Sequence, residues 1–550
     1  MPAKKARRAA RPTKTASPER TRESPRPAAS RPEPAFTVPP ALRQIAAILA
    51  IVATAVAAYA GSLRNGFTYD DPMVIQDAAP FLAHGPYRAL FSPFYFALSR
   101  EGTYRPVVTA SYIADFRAWQ FWLPGYHAQN VFWHVLTALG VAALAARLLP
   151  DARRRAAVVA GLLFACHPLT SEAVENISFR EDLLATCFVV MSMLLALRGT
   201  VRALVLGAIT YALALLSKES AVVMPFLLMG CRLAFPTAPA GGTKPATRAT
   251  LVREALALGA VTAVYLAIRF GPMAGPPHYA AFAGGTRAAT LWTMPRVLAR
   301  YLRLVFAPWP LVADYSGYFG FGLPSGDRLW ALLTLPLCAG ALWLAWRRDR
   351  LAATGLGWFL LALAPVSSVI ATPIFAAERF LYLPLVGPAL AASALAARLD
   401  VRTTGHARRL ALATGLAVLG TFVALTNARH AAWRNNLALW LDVAEHNPRS
   451  YRAHANIAVQ FERSSPAFAE AQLEQSLALC PYVPGAEDVD NILCSSNANK
   501  LGEVRLRLGD LDGAQAAFQL SLRIRPSNPQ PVRGLEAVAL ARRSREFEEF

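Results

Sequence analysis

QIAAILAIVATAVAAYAGSLRNGFTYDD, residues 44–71, holds an apolar run long enough to cross a bilayer and, a few residues later, two adjacent carboxylates in Tyr69-Asp70-Asp71. Paired acids at the rim of a membrane helix are costly to place and rarely idle. Working outward, the pattern repeats: apolar segments alternate with short basic loops on one side and acid- and arginine-bearing loops on the other. The reading is a membrane-embedded protein whose chemistry sits at one face of the bilayer.

Composition agrees. The 550-residue chain is 55% hydrophobic and 17% charged, where a soluble domain carries about 25% charged residues. Segments suited to spanning run over 44–62, 128–147, 156–168, 183–198, 203–217, 219–233, 251–270, 328–346, 351–372, 380–397 and 410–428. The predicted class is an all-α, polytopic helical bundle of about 11 spans followed by a helical repeat domain. Ala58-Tyr59-Ala60 before Gly61 resembles a signal-peptidase site, but the apolar run is too long for a leader and reads as an uncleaved anchor.

Net charge is +21, and its placement orients the bundle. Residues 1–43 carry eleven Lys/Arg and almost no large apolar residue, and read as a disordered basic tail that fixes topology or touches anionic lipid rather than nucleic acid. Arg153-Arg154-Arg155, Arg198 with Arg202, Arg232 with Lys244 and Arg248, Arg347-Arg348 with Arg350, and Arg398 with Arg402, Arg408 and Arg409 fall in alternate loops. With the tail cytoplasmic, all are cytoplasmic, and the C-terminal domain lies outside. The outer loops then hold the unusual residues. Loop 63–127 has Asp70, Asp71, Tyr104 and Arg105. Loop 167–182 has His167, Glu172 and Arg180. Lys218-Glu219 occupies another outer turn, loop 271–327 has Arg296, Arg300, Arg303 and Asp314, and Glu378-Arg379 precedes segment 380–397.

Predicted domains are the tail 1–43, the bundle 44–430 and a tetratricopeptide-like region 431–550. In the last, Pro448, Pro481 and Pro526 close similar units, and the longer second interval implies an insertion around 482–493. Such arrays form concave surfaces for protein or peptide. An ordinary helical cap is the alternative. Cys166, Cys187, Cys231 and Cys338 read as packing residues, while Cys480 and Cys494 are free to pair if their domain is extracytoplasmic.

Several motifs then stand in one order: Phe67-Thr-Tyr-Asp-Asp71, Tyr104-Arg-Pro106, His127-x-x-Asn-Val-x-x-His134, His167-Pro-x-x-x-Glu172, Arg180-Glu-Asp-Leu-Leu184, Lys218-Glu219, Asp314-Tyr-Ser316 and Glu378-Arg-Phe-Leu-Tyr-Leu-Pro384. From about residue 44 to the end the chain resembles the transmembrane and tetratricopeptide-repeat O-mannosyltransferases, in a compact bacterial-type version with fewer repeats. The resemblance implies a GT-C type fold in the bacterial inner (cytoplasmic) membrane. It implies a polyprenyl-phosphate-linked sugar as donor, most simply mannose, with inversion at the anomeric carbon and an Asp after the first span as base. The acceptor implied is a protein or peptide hydroxyl held by the repeats, or else a glycan or lipid.

Such a donor brings its own leaving group, so no second acid is needed, unlike in glycoside hydrolysis. One base and some cations suffice. Asp70 is the predicted base. Asp71 is left three roles: holding the acceptor, binding a divalent metal, or raising the Asp70 pKa. Helix capping by Asp70-Asp71-Pro72 is the structural alternative. Predicted phosphate ligands are Arg105, Arg180, Arg296, Arg300 and Arg379, each with an alternative in ion pairing or snorkelling. Arg296, Arg300 and Arg303 share one helical face. Tyr104, His127, His167, Glu172, Lys218, Glu219, Asp314 and Glu378 are predicted supporting residues. Lys218-Glu219 reads as a paired charge, and Glu378-Arg379 as an ion pair or a phosphate site. His127 and His134, seven apart, are too distant to share one metal easily, and no metal ligand set is predicted. No nucleotide-sugar fold, phosphate-cradling loop or nucleophile elbow is present, which disfavours a cytoplasmic nucleotide-driven activity. A transporter or a non-catalytic scaffold displaying the repeats are the readings from other classes.

Overall fold

In the computed structural model, residues 39–236, 247–275, 282, 285–319, 326–372, 374–482 and 488–548 are described. Most of the basic tail, Lys244 and part of the expected insertion lie outside them. The chain divides after Ala46, and the unit Ala47–Phe550 holds every expected site residue. The described residues form helices and turns with no strand, so the fold is all-α.

Each of the eleven predicted segments overlaps a helix. The longest are Pro40–Tyr59, Leu123–Leu148, Arg248–Phe270 and Gly405–Arg429. Capping residues set several starts. The side chains of Thr200, Thr247 and Thr286 accept from Ala203, Thr250 and Ala289 amides, and that of Asp349 from Leu351 and Ala352. Four described helices are long and apolar enough to cross a membrane, or five if a bent pair, Asp151–Cys166 with Pro168–Glu175, counts as one. This is fewer than the predicted eleven. The reason is local: apolar runs such as 156–168 and 219–233 are broken by His167-Pro168 and by a 3-10 turn at Glu219–Val223, leaving helices of ten and eleven residues. Helix Gly405–Arg429 is largely uncovered, with Leu410, Leu412 and Leu416 exposed, as a lipid-facing surface requires.

Close helix contacts use small residues. Arg350–Leu363 packs on Val386–Arg402 so tightly that a Cβ on Gly355 would strike the Gly387 carbonyl, and one on Gly387 the Gly355 carbonyl. Cys166, Cys187, Cys231 and Cys338 are buried thiols.

After Trp433 the helices Asn436–His446, Tyr451–Phe461, Pro466–Leu479, Val489–Leu508, Leu511–Ile524 and Gln530–Glu548 pack each on the next. Ala458, Ala469, Leu473, Leu501, Val504 and Ala517 form one core cluster. Gly509 turns the chain with φ 83°, a left-handed value that favours glycine, and Asp510 caps the next helix. The expected insertion 482–493 is in part helix, since Val489–Leu508 begins inside it. Cys480 and Cys494 form a disulfide with Cα atoms 6.0 Å apart.

Candidate functional site

The site is built on the turn between the first helix and Pro72. Asn65 Nδ2 donates to Glu175 (2.6 Å), the Gly66 amide to the Arg434 carbonyl (2.9 Å), and Asn176 Nδ2 to the Thr68 carbonyl (2.9 Å). Tyr69 has φ 54°, a left-handed conformation unusual for an aromatic residue. Its amide donates to Asn436 Oδ1 (2.9 Å), and its ring stacks on Trp440 and meets Phe179 edge-on. Strain of this kind persists where surrounding contacts enforce it, and it clusters at functional sites.

The strained turn separates the two acids. Asp71 is fully buried, accepting from the Thr68 amide (2.9 Å) and the Ser178 amide (2.7 Å). Burial pushes its carboxyl up to about 7, against the pull of those amides. Asp70 is exposed, and among the described residues no side chain or amide donates to its carboxylate. Desolvation by the surrounding protein raises its pKa, Arg379 most strongly opposes that rise, Glu181 adds to it, and Arg452 and Arg105 oppose it. Solvent reaches this side chain, so the desolvation is partial.

The cations around Asp70 are anchored differently. Arg379 is buried: its Nη1 pairs with Glu172, its amide donates to Glu172 Oε2 (2.8 Å), and its guanidinium lies 4.0 Å from the Phe179 ring centroid. Arg105 pairs with Glu181 and, at 3.1 Å, with Glu219. Lys218 Nζ is 2.6 Å from Asp182 and 3.1 Å from Glu181. The sequence neighbours therefore pair crosswise and not with each other. Lys218 takes Asp182 and Glu181 while Glu219 takes Arg105. Likewise Arg379 takes Glu172, while Glu378 accepts from the Val312 amide (2.6 Å) and the Tyr315 hydroxyl (3.0 Å). The crossing follows from geometry, because successive side chains at a turn point to different segments.

Arg180 is not placed to meet a ligand. It is fully buried, its Nη1 2.5 Å from Asp115, its Nε donating to Asn130 (2.7 Å) and its Nη2 to the Tyr126 carbonyl (3.1 Å). Such a guanidinium holds helices together. Arg296 and Arg300 lie on the helix Arg287–Phe306, where Arg300 donates to the Pro310 carbonyl (2.7 Å) and Arg303 to that of Trp309 (2.7 Å). His127 is buried in helix Leu123–Leu148. His167 receives the Leu169 amide and pairs its Nε2 with the Val305 carbonyl at 3.0 Å. Tyr104 is buried edge-on to Tyr95. No group of three or more His, Cys, Asp or Glu among the described residues has the geometry to hold a metal.

Two residues absent from the prediction face this site. Glu101, in the outer loop, is buried and its carboxyl is pushed up to about 8, mainly by desolvation. Arg452 comes from the C-terminal helices, 4.0 Å from Asp314 and 3.9 Å from Asp490. Asp314 also accepts from Ser450 Oγ (2.6 Å), and its carbonyl accepts from Asn447 (3.0 Å).

Comparison with known proteins bears on what this arrangement does. Protein O-mannosyl-transferase Tmtc1 of Drosophila melanogaster is 28% identical over 204 residues, 35% of this chain and 23% of the relative. Tmtc2 of the same organism is 32% identical over 180 residues, 30% of this chain and 19% of the relative. TMTC3 of Homo sapiens is 29% identical over 146 residues, 26% of this chain and 16% of the relative.

The chain is similar to the protein O-mannosyl-transferases.

No protein-family model matches the chain. The chain spans less than a quarter of the length of these curated O-mannosyl-transferases, 16–23% in the three named. The aligned stretches cover 26–35% of this chain, less than the reach from residue 44 to the end over which the motifs run in order.

Proposed function

We propose that the chain is an integral membrane glycosyltransferase of GT-C type. It moves a sugar, mannose in the simplest case, from a polyprenyl-phosphate donor to a hydroxyl acceptor, protein Ser or Thr, on the extracytoplasmic face of a bacterial-type inner membrane. The observation that carries the reading is the division of labour at Asp70-Asp71. One acid is used up holding the turn, and the other stands open to solvent, facing Arg379, Arg452 and Arg105.

The acceptor oxygen attacks the anomeric carbon from the face opposite the phosphate and its proton passes to Asp70. The bond from that carbon to the phosphate oxygen breaks, the electron pair leaves on the phosphate, and the configuration inverts. Arg379, rigid on Phe179 and paired with Glu172, is a preorganised cation for the departing phosphate. Asp71 and Glu172 hold these groups in place. Arg296 and Arg300 remain candidates for the lipid's path along their helix. The C-terminal helices, read as degenerate tetratricopeptide repeats, present the acceptor. The outward orientation is supported by the alternating arginine loops and by the Cys480–Cys494 disulfide, which an oxidising compartment favours.

The test is transfer of labelled mannose from polyprenyl-phosphate mannose by purified protein in nanodiscs, offered a Ser/Thr-rich polypeptide, an oligosaccharide or a lipid alcohol. Transfer to the polypeptide is the expected result. Transfer only to glycan or lipid would correct the acceptor, and transfer to none from several carriers would reject the enzyme.

A further inference from the structure

The reaction proposed above changes charge at one place. A donor phosphodiester carries one negative charge, and the polyprenyl phosphate that leaves carries up to two. A cation free to move onto that phosphate late in the reaction stabilises the transition state more than the ground state, which is what accelerates the step. The cations that face Asp70 are not equal in this respect.

Arg379 and Arg105 each have a carboxylate in tight contact, Glu172 and Glu181. Arg452 has two carboxylates, Asp314 and Asp490, but at 4.0 and 3.9 Å, the outer limit of an ion pair. Its Nε donates to the neighbouring Tyr451 hydroxyl at 3.2 Å, and neither terminal nitrogen has an acceptor within hydrogen-bond distance among the described residues. The helix that carries it is fixed. Asn447 donates to the carbonyls of Asp314 (3.0 Å) and Ser316 (2.8 Å), and Ser450 Oγ lies 2.6 Å from Asp314. The backbone is thus held while the guanidinium is loosely held. Its charge acts on both Tyr69 and Asp70, and the same C-terminal helices meet that turn directly, through the Tyr69–Trp440 stack and the Tyr69 amide on Asn436.

We infer that Arg452, supplied by the C-terminal helical domain, is a ligand of the departing polyprenyl phosphate, so that this domain completes the active site as well as presenting the acceptor. The inference rests on the glycosyltransferase reading. On leaving, the phosphate replaces Asp314 and Asp490 as the partner of Arg452 with a closer, charge-assisted contact.

The experiment compares the native protein with Arg452→Gln, Arg452→Lys, Asn447→Ala and Asp70→Asn in nanodiscs. It measures mannose transfer and, separately, binding of polyprenyl phosphate, the product alone. Arg452→Gln is expected to weaken product binding and lower kcat by roughly ten- to hundredfold, the scale of one hydrogen bond to a charged group. Arg452→Lys should recover part of both. Asn447→Ala loosens domain docking, seen as faster proteolysis after Trp433, yet should keep product affinity. Asp70→Asn should slow transfer by roughly 10²–10⁴-fold while retaining product binding. Native transfer with Arg452→Gln unchanged in product affinity and kcat overturns this inference alone. If Asn447→Ala loses product affinity as fully as Arg452→Gln, the residue acts only by docking, and the inference is again overturned. A native protein that neither transfers mannose nor binds the product overturns the glycosyltransferase reading itself.

Discussion

The ring of Tyr69 stacks on the indole of Trp440, with 5.4 Å between centroids and 24° between planes. Tyr69 precedes the exposed acid and has a left-handed backbone; Trp440 belongs to the first helix after the bundle. The C-terminal helices therefore brace the turn on which the proposed chemistry depends. Trp440→Ala removes the brace, and an aromatic pair is worth about 0.5–1.5 kcal/mol beyond burial. Expected is a several-fold lower transfer rate at unchanged expression. Native-level kcat in the variant would show that the turn does not need this stack.

Arg180 and Asp115 give a contrasting case. Both are buried and paired, so Arg180→Gln leaves an unpaired carboxylate among helices. Breaking a buried pair from one side costs about 3–5 kcal/mol. The expected result is a large fall in melting temperature and in yield of folded protein. A well-folded, stable Arg180→Gln that is merely inactive would restore the residue to ligand binding.

The pH dependence of stability follows from Asp71. Its pKa rises from the ordinary 3.8 to about 7 on folding because burial disfavours the charged form. Between those values the folded state holds a proton that the unfolded state has lost. The stabilisation is fully present below pH 3.8 and is lost as pH rises through about 7. Melting curves from pH 4 to 8 should show this decline, and Asp71→Asn should flatten it. An identical slope in the variant would place the titration elsewhere.

Gly355 and Gly387 allow two helices to touch through their backbones. Gly355→Ala puts a methyl group against a carbonyl oxygen, and overpacking of this kind costs about 1–3 kcal/mol. Thermal unfolding in detergent should show the loss. No change would mean that the helices can separate without penalty.

Reduction of Cys480–Cys494 should destabilise the C-terminal helices selectively. The bridge closes a loop of 14 residues, and a loop near that size is worth about 3 kcal/mol in the chain-entropy model. Limited proteolysis with and without reductant would reveal this. Equal protection in both conditions would show that helix packing alone suffices.

How much of this could be read from the residues depends on whether the signal was local. Apolar runs declare helices by composition, so all eleven segments found one; their number as full spans was not legible, because His167-Pro168 and Glu219–Val223 interrupt runs that hydropathy treats as continuous. Asp70 stands out in the sequence by its place after an apolar helix. Its difference from Asp71 does not, since it depends on the amide of Ser178, more than a hundred residues away. Lys218-Glu219 and Glu378-Arg379 invited pairing by adjacency, while the folded chain pairs each with a separate segment. Arg452 carried no local mark at all: only the docking of Asn447 and Ser450 on Asp314 brings it to the site.

The proposed base is Asp70 and not Asp71. The direct measurement is single-turnover transfer of labelled mannose from a polyprenyl-phosphate donor by the native protein and by Asp70→Asn, with folding of both checked by melting temperature. The expected result is native transfer, and turnover slower by roughly 10²–10⁴-fold, the contribution of a positioned base, in a variant of unchanged stability. Near-native turnover by a folded Asp70→Asn would contradict it.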